Sequence, residues 1–96
     1  MKNQLYHFID TYEYDDSDLT FLIVSNAEVG FMKDVERVAN AIWLEDDMPK
    51  LSKTGFELYH KYYEEYVGCS KIEIIESIVK EEGYSWESPD VVDIEW

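Results

Sequence analysis

Side chains that could act as nucleophiles, bases or soft-metal ligands are few and scattered in this chain. It has one cysteine, Cys69, and two histidines, His7 and His60, which fall on different predicted elements. A zinc centre needs several Cys or His residues at close spacing, so we expect none. Cys69 and His60 would supply a thiol and a base, but an inert thiol in a turn between helices fits the sequence better.

Carboxylates are abundant, and three of them, Asp15, Asp16 and Asp18, are close enough in sequence to share a hard cation. A calcium loop also carries a glycine at its sharp turn and a distal glutamate, which this segment lacks. The sequence contains no glycine-rich phosphate loop, dinucleotide fingerprint, GxSxG elbow or HExxH pair. We therefore expect a non-enzymatic protein with no metal site and no cofactor, and a turn at the three aspartates.

The strongest feature of the sequence is its charge. The chain has 22 Asp and Glu residues and only eight Lys and Arg residues, which gives a formal net charge of −14. Such a surface repels nucleic acid and anionic membranes and attracts basic proteins. The scattered bases form no stripe for direct nucleic-acid binding. Solubility is the simpler explanation, but it asks only about 2 to 8 charges of a small domain.

Length and composition indicate a single domain over residues 1–96. The hydrophobic content is 46%, well above that of disordered acidic chains. Cys69 alone cannot form an intramolecular disulfide, which favours an intracellular protein. Residues 1–10 lack the apolar stretch of a signal peptide, and no apolar run approaches the roughly 18 residues of a membrane span. We expect a soluble, cytoplasmic chain.

The first quarter of the chain predicts a β-hairpin. Residues 5–14 are rich in aromatic residues and alternate as in a strand, with Tyr6 and Phe8 on one face and Leu5 and Ile9 on the other. Residues 15–18 form a turn signal, and residues 19–24 are an apolar run of strand length.

A first amphipathic helix is predicted after the hairpin. Ser25 and Glu28 have the spacing of a capping box, so the helix should begin near Asn26. The acidic residues 45–47 and then Pro49 should end it. Its core-facing stripe consists of Val29, Met32, Val35, Val38, Ala39, Ile42 and Trp43.

Two further helices and a closing strand complete the predicted fold. Ser52 caps a helix that runs to about residue 67, and Ser70 caps another that runs to about residue 82 before Gly83. Residues 91–96 (VVDIEW) alternate as in a strand. The predicted fold class is α+β: an N-terminal β-hairpin, three helices and a C-terminal strand, with a small antiparallel or mixed sheet packed on a helical layer.

The surface expected to bind a partner combines tyrosines with carboxylates that lack a helical partner. Glu57 with Lys61 and Glu76 with Lys80 have i, i+4 spacing and are ordinary helix-face pairs. Eight tyrosines exceed what this core can hydrogen-bond easily, so some should be partly exposed and act as anchors. The candidate partner-binding residues are Glu13, Asp15, Asp16, Asp18, Glu45, Asp46, Asp47, Tyr59, Tyr62, Tyr63, Glu64, Glu65 and Tyr66.

These features favour an interaction protein that inhibits or masks a basic, nucleic-acid-binding protein. Duplex DNA carries one negative charge per roughly 1.7 Å of axis, and carboxylates about 5 to 6 Å apart offer a comparable density. In size and charge, the chain resembles small acidic proteins of phages and mobile elements that inhibit restriction enzymes and CRISPR effectors. That resemblance implies a DNA-mimic, anti-restriction or anti-CRISPR function.

Two alternatives stay open. The chain could be an immunity or antitoxin-like protein that neutralises a cationic nuclease toxin, and a toxin gene beside its own would favour this. It could also be a structural subunit whose tyrosine-rich second helix forms a homodimer or docks into a larger assembly. Self-association that survives high salt would favour the latter, because electrostatic capture of a partner weakens with salt.

Overall fold

The protein is a hairpin followed by three helices in a computed structural model that describes residues 3–11, 18–47 and 49–88. The elements are β1 (Gln4–Thr11), β2 (Asp18–Ser25), α1 (Val29–Trp43), α2 (Lys53–Tyr66) and α3 (Lys71–Glu81). This order confirms the α+β class, the hairpin and the three helices. The predicted closing strand, residues 91–96, lies outside the described residues.

The hairpin has one face in the core. β1 and β2 pair antiparallel, with Tyr6 opposite Ile23 and Phe8 opposite Phe21. Phe8 and Ile23 are buried, whereas Leu5 is exposed, because successive side chains of a strand point to opposite faces. The alternation in the sequence therefore separated the two faces of β1 correctly, and the structure shows that the face of Phe8 is the inner one.

The three helices supply the rest of the core, which packs against the inner face of the hairpin. α1 packs against both α2 and α3. The core side chains of α1 and α3 are Met32, Val35, Val38, Ala39, Ala41, Ile42, Ile74, Ile75, Ile78 and Val79. Val29 and Trp43, which the sequence placed in the same stripe, are 45% and 37% exposed because they are the first and last residues of α1.

The predicted start of α1 is wrong. Ser25 is the last residue of β2 and pairs with Gln4, and the N-cap of α1 is Glu28, three residues further along the chain. Its hydroxyl accepts a hydrogen bond from the Ala27 amide at 3.1 Å, and the helix begins later, at Val29. The N-cap residue, Glu28, makes no capping hydrogen bond with its side chain.

The other two predicted caps are confirmed. The Ser52 hydroxyl accepts a hydrogen bond from the Gly55 amide at 3.0 Å, and the Ser70 hydroxyl accepts one from the Glu73 amide at 3.3 Å. Each bond satisfies a backbone donor that has no partner within its helix. None of the helices in the described ranges has the length and apolarity to cross a membrane.

After α3 the chain returns to the hairpin. Glu87 and Val24 exchange backbone hydrogen bonds of 2.8 and 2.9 Å. The Ser85 hydroxyl accepts from the Asn26 amide and the Asn26 carboxamide oxygen accepts from the Ser85 amide, both at 3.0 Å. We call these four residues the clasp, because they tie the end of α3 to the end of β2.

Candidate partner-binding surface

The predicted partner-binding residues fall in three parts of the chain. At the hairpin tip, Glu13, Asp15 and Asp16 lie outside the described residues, and Asp18 is described only as the first residue of β2, paired with Thr11. The others lie in the loop between α1 and α2 and on α2 itself. The structure therefore shows how the residues of that loop and of α2 are arranged relative to one another.

Four tyrosines form a row along one side of α2. Tyr59, Tyr62, Tyr63 and Tyr66 are spaced three and four residues apart, which places them on neighbouring positions of the helix surface. The ring centroids of Tyr59 and Tyr63 are 5.2 Å apart, and those of Tyr62 and Tyr66 are 5.7 Å apart. At 1.5 Å per residue the tyrosine row spans about 10 Å of the helix.

Burial divides the tyrosine row into two pairs. Tyr59 and Tyr62 are only 9% and 2% exposed and belong to the core. Tyr63 and Tyr66 are half-buried against it and keep part of each ring in solvent. The expectation that some tyrosines are partly exposed is therefore met by Tyr63 and Tyr66, while partner contact by Tyr59 and Tyr62 stays a prediction.

Acidic residues of the α1–α2 loop lie at the N-terminal end of the tyrosine row. The Tyr59 hydroxyl donates a hydrogen bond of 2.6 Å to the backbone oxygen of Asp46. Burial raises the pKa of Tyr59, and the neighbouring Tyr63 and the carboxylates of Asp46 and Asp47 raise it further. Tyr59 thus holds the loop against α2 and keeps its proton in a negative environment.

Glu45 begins this acidic loop in a left-handed backbone conformation, with φ of 52°. Its amide donates to the Ile42 carbonyl at 3.1 Å, and the Asp46 amide donates to the Ala41 carbonyl at 3.0 Å. This is the Schellman arrangement, which usually has glycine at the left-handed position. The sequence predicted where α1 ends, but nothing in it marked Glu45 as the left-handed residue.

Two other carboxylates lie at the C-terminal end of the tyrosine row. Burial raises the pKa of Tyr66, and Glu65 on α2 and Glu81 on α3 raise it further, while a hydrogen bond with Ser77 lowers it. Glu64 and Glu65 are exposed. Sequence reasoning missed Glu81 as a site residue, because only the packing of α3 beside α2 brings it to Tyr66.

A buried tyrosine and an ion pair lock α2 to α3. Glu82 accepts hydrogen bonds from the Tyr62 hydroxyl at 2.5 Å and from the Lys61 ammonium at 2.8 Å. These two bonds lower the pKa of Glu82, and burial together with Glu82 raises the pKa of Tyr62 to about 12. The sequence predicted that Lys61 pairs with Glu57, but Lys61 instead pairs with Glu82 at the end of α3. The other predicted pair, Glu76 with Lys80, is confirmed at 2.7 Å.

Several carboxylates around the tyrosine row are available to cations. No ion pair to any described residue is formed by Glu45, Asp47, Glu64, Glu65 or Glu81. Within the described ranges, no group of His, Cys, Asp and Glu side chains has an arrangement that could hold a metal ion. The surface can thus offer partly exposed tyrosine rings and carboxylate acceptors to a basic side chain.

Comparison of this chain with models of known protein families, with curated proteins and with solved structures gives no match. The geometry and charge of the tyrosine row are therefore what a functional proposal must be built on.

Proposed function

We propose that this protein is a non-enzymatic acidic inhibitor that binds and masks a basic, nucleic-acid-binding protein. The observation that supports this most is the tyrosine row with carboxylates at both ends: Asp46 and Asp47 beside Tyr59, and Glu65 and Glu81 beside Tyr66. Tyrosines beside carboxylates suit Lys and Arg side chains that would otherwise contact phosphates.

Binding would use the rigid support beneath the half-buried rings of Tyr63 and Tyr66. Tyr59 and Tyr62 are fixed by hydrogen bonds to Asp46 and Glu82, so Tyr63 and Tyr66 lie on an ordered helix face. A preorganised surface loses little side-chain entropy on association. A partner guanidinium could stack on the Tyr66 ring while a carboxylate of Glu65 or Glu81 accepts its two parallel N–H donors.

We infer a DNA-mimic inhibitor of the kind carried by phages or mobile elements, acting in the cytoplasm on a restriction or CRISPR effector. The net charge of −14 and the single Cys69 support this setting. An immunity protein that neutralises a cationic nuclease toxin would use the same surface. A toxin gene adjacent to this one would favour that alternative.

The test is capture of a basic nucleic-acid-binding protein by the immobilised chain at about 0.1 M and about 1 M salt, between which the Debye length falls from about 10 to about 3 Å. The test variant is Glu65→Gln with Glu81→Gln. The control is Glu57→Gln with Glu87→Gln, which has the same net charge change at exposed positions away from Tyr66.

The proposal expects capture at low salt by the wild type and the control, and much weaker capture by the test variant. The captured protein should then lose duplex DNA when the wild-type chain is added in a gel-shift assay. Equal capture by the test and control variants would show that net charge alone is responsible. Failure to retain any basic protein at low salt would overturn the proposal.

A further inference from the structure

A groove opens where the second half of α1, the α1–α2 loop and the first half of α2 meet. Its volume is about 910 Å³, within the range of roughly 300 to 1,000 Å³ typical of small-molecule sites. The groove touches the tyrosine row only at its N-terminal end, through Tyr59 and Asp47. The masking function leaves the rest of this groove without a role.

The groove holds two cations beside carboxylates. Arg37 and Lys50 line it together with His60 and with the carboxylate of Asp47. A second carboxylate, that of Asp34, accepts a hydrogen bond of 3.1 Å from the hydroxyl of Ser52, which also lines the groove. Neither Arg37 nor Lys50 forms an ion pair with any residue in the described part of the chain, and both are exposed. Their N–H donors are therefore open to an anionic ligand.

A second groove adjoins the first at Arg37 and has a similar charge. Its volume is about 420 Å³, and Arg37, Lys71 and His7 line it beside the single carboxylate of Glu36. Lys71, like Arg37, makes no ion pair to a residue that the structure describes. Arg37 thus lines both grooves, and its guanidinium can donate hydrogen bonds to an anion bound in either of them.

The wall of the larger groove is aromatic. Phe56 is 41% exposed and lies stacked with His60, with ring centroids 6.3 Å apart and planes inclined by 20°. Tyr59 meets the other side of His60 edge-on, at 5.6 Å and 82°. Leu51 adds aliphatic surface. A planar apolar body placed against Phe56 would remove this aromatic surface from water.

We propose that this groove binds a small ligand that has a planar aromatic body and an anionic group, such as an aromatic sulfonate, carboxylate or phosphate. The aromatic body lies against Phe56, and the anion accepts hydrogen bonds from Arg37 and Lys50. The planar fork of arginine suits such anions, because it presents two parallel donors. This site takes a ligand of opposite charge to the masked partner, and it shares only Tyr59 and Asp47 with the tyrosine row and its acidic end.

The probe for this proposal is anilinonaphthalene sulfonate, an aromatic anion whose fluorescence rises in an apolar site. Its uncharged analogue N-phenylnaphthylamine and inorganic sulfate test the two halves of the ligand separately. We expect saturable binding of the sulfonate with amide NMR shifts concentrated at residues 49–60 and near Arg37. Each of the two partial probes should bind at least about tenfold more weakly, since one charge-assisted hydrogen bond is worth about a factor of ten.

Variants then assign the anion contact. Arg37→Gln and Lys50→Gln should each weaken sulfonate binding about tenfold. Lys53→Gln is the matched control, because Lys53 is an exposed cation at the start of α2 that does not line the groove. The side chains of Arg37 and Lys50 are exposed, so these variants should fold, and circular dichroism checks that they do.

Three results would overturn the proposal: NMR shifts spread over the protein, equal affinity of the Arg37→Gln and Lys53→Gln proteins, or equal affinity for the charged and uncharged probes. The wild-type shift map alone decides the first of these. The Glu65→Gln, Glu81→Gln protein should still bind the probe, and the Arg37→Gln protein should still capture the basic partner. A failure of either proposal is thus recognised independently of the other.

Discussion

Glu45 carries backbone strain in the loop that begins the acidic end of the tyrosine row. Its φ of 52° lies in the left-handed region, which costs an L-residue roughly 1 to 2 kcal/mol. Gly83 occupies the same helix-end position after α3, with φ of 92°, and has no Cβ to clash. Glu45→Gly relieves this strain, but glycine also increases the conformational entropy of the unfolded chain, which offsets part of the gain. The free energy of unfolding, measured by urea titration, should therefore rise by about 0.5 to 1 kcal/mol.

Glu45→Gln is the control for this prediction. It removes the negative charge next to Asp46 and Asp47 but keeps the Cβ and therefore the strain. If the glutamine variant gained as much stability as the glycine variant, relief of charge repulsion and not of backbone strain would be the cause.

Tyr62 makes stability depend on alkaline pH. Its pKa is raised to about 12, whereas a tyrosine in the unfolded chain has a pKa of about 10.0. Between these values the folded state binds more protons than the unfolded state, so stability should fall as pH rises from about 10 to about 12. Lys61, whose pKa is also raised to about 12 by Glu82, acts in the same direction.

Tyr62→Phe tests this coupling. It removes the hydrogen bond to Glu82, so the free energy of unfolding near pH 8 should fall by about 1.5 to 3 kcal/mol. The decline above pH 10 should also become shallower, as measured by urea unfolding at several pH values. Tyr84→Phe removes a hydroxyl with no hydrogen-bond partner among the residues described, and it should leave stability near pH 8 unchanged.

Residue types alone predicted that some tyrosines are partly exposed, but they did not predict the contacts that the tyrosines and their neighbours make. Lys61 has a favourable i, i+4 carboxylate in Glu57, yet it pairs with Glu82, which lies 21 residues away. A local pair of this kind contributes only about 0.2 to 0.5 kcal/mol. Glu82, which the Tyr62 hydroxyl also holds in place, is therefore the more favourable partner for Lys61. No sequence spacing reveals that partner.

At the level of elements, the clasp should contribute to stability cooperatively. Asn26→Ala and Ser85→Ala each remove one of the two reciprocal side-chain hydrogen bonds, and each should lower the free energy of unfolding by about 1 kcal/mol. Because both bonds hold the same two segments together, the double variant should deviate from additivity by about 0.5 kcal/mol or more.

Hydrogen exchange gives a second measure of the clasp. The amides of Val24 and Glu87, each of which donates to the carbonyl oxygen of the other residue, should exchange faster in either variant, while α1 amides in the core keep their protection. Strict additivity together with unchanged exchange at Val24 and Glu87 would show that the two segments do not act as one unit.

Element boundaries were predictable where a local signal and the tertiary structure agreed. Ser52 and Ser70 precede helices whose first amides have no other acceptor, so the capping pattern located α2 and α3 correctly. The same pattern failed at Ser25, because Asn26 bonds to Ser85 and the Ala27 carbonyl accepts from the Tyr6 hydroxyl, and the helix begins only at Val29. Hydrogen bonds between distant segments thus outweighed a capping pattern of four consecutive residues.

On the scale of the whole molecule, the cations of the two grooves and the carboxylates around Tyr66 are each gathered from more than one element. The cations around the grooves come from α1, the α1–α2 loop and α3. The carboxylates around Tyr66 come from α2 and α3. Each environment is assembled from residues far apart in sequence, so only the packing of the helices establishes it.

The excess of negative charge should make the free energy of unfolding increase with salt concentration. At a net charge of −14, repulsion among carboxylates opposes the compact state, and salt screens it as the Debye length falls from about 30 Å at 0.01 M to about 3 Å at 1 M. The free energy of unfolding, measured with urea because it is uncharged, should therefore rise over this range. A fall would show that attractive pairs such as Lys61 with Glu82 dominate the electrostatics.

The variants that test partner binding also locate this repulsion. Glu65→Gln with Glu81→Gln removes two carboxylates that both act on Tyr66, whereas Glu57→Gln with Glu87→Gln removes two that are not brought together there. Repulsion grows as the distance between like charges shrinks, reaching about 1 kcal/mol at 4 Å in water. The first pair should therefore reduce the salt dependence of unfolding more than the second, although both change the net charge equally. Equal reductions would mean that the repulsion is spread over the whole surface, and that the carboxylates at Tyr66 form no local concentration of charge for a basic partner.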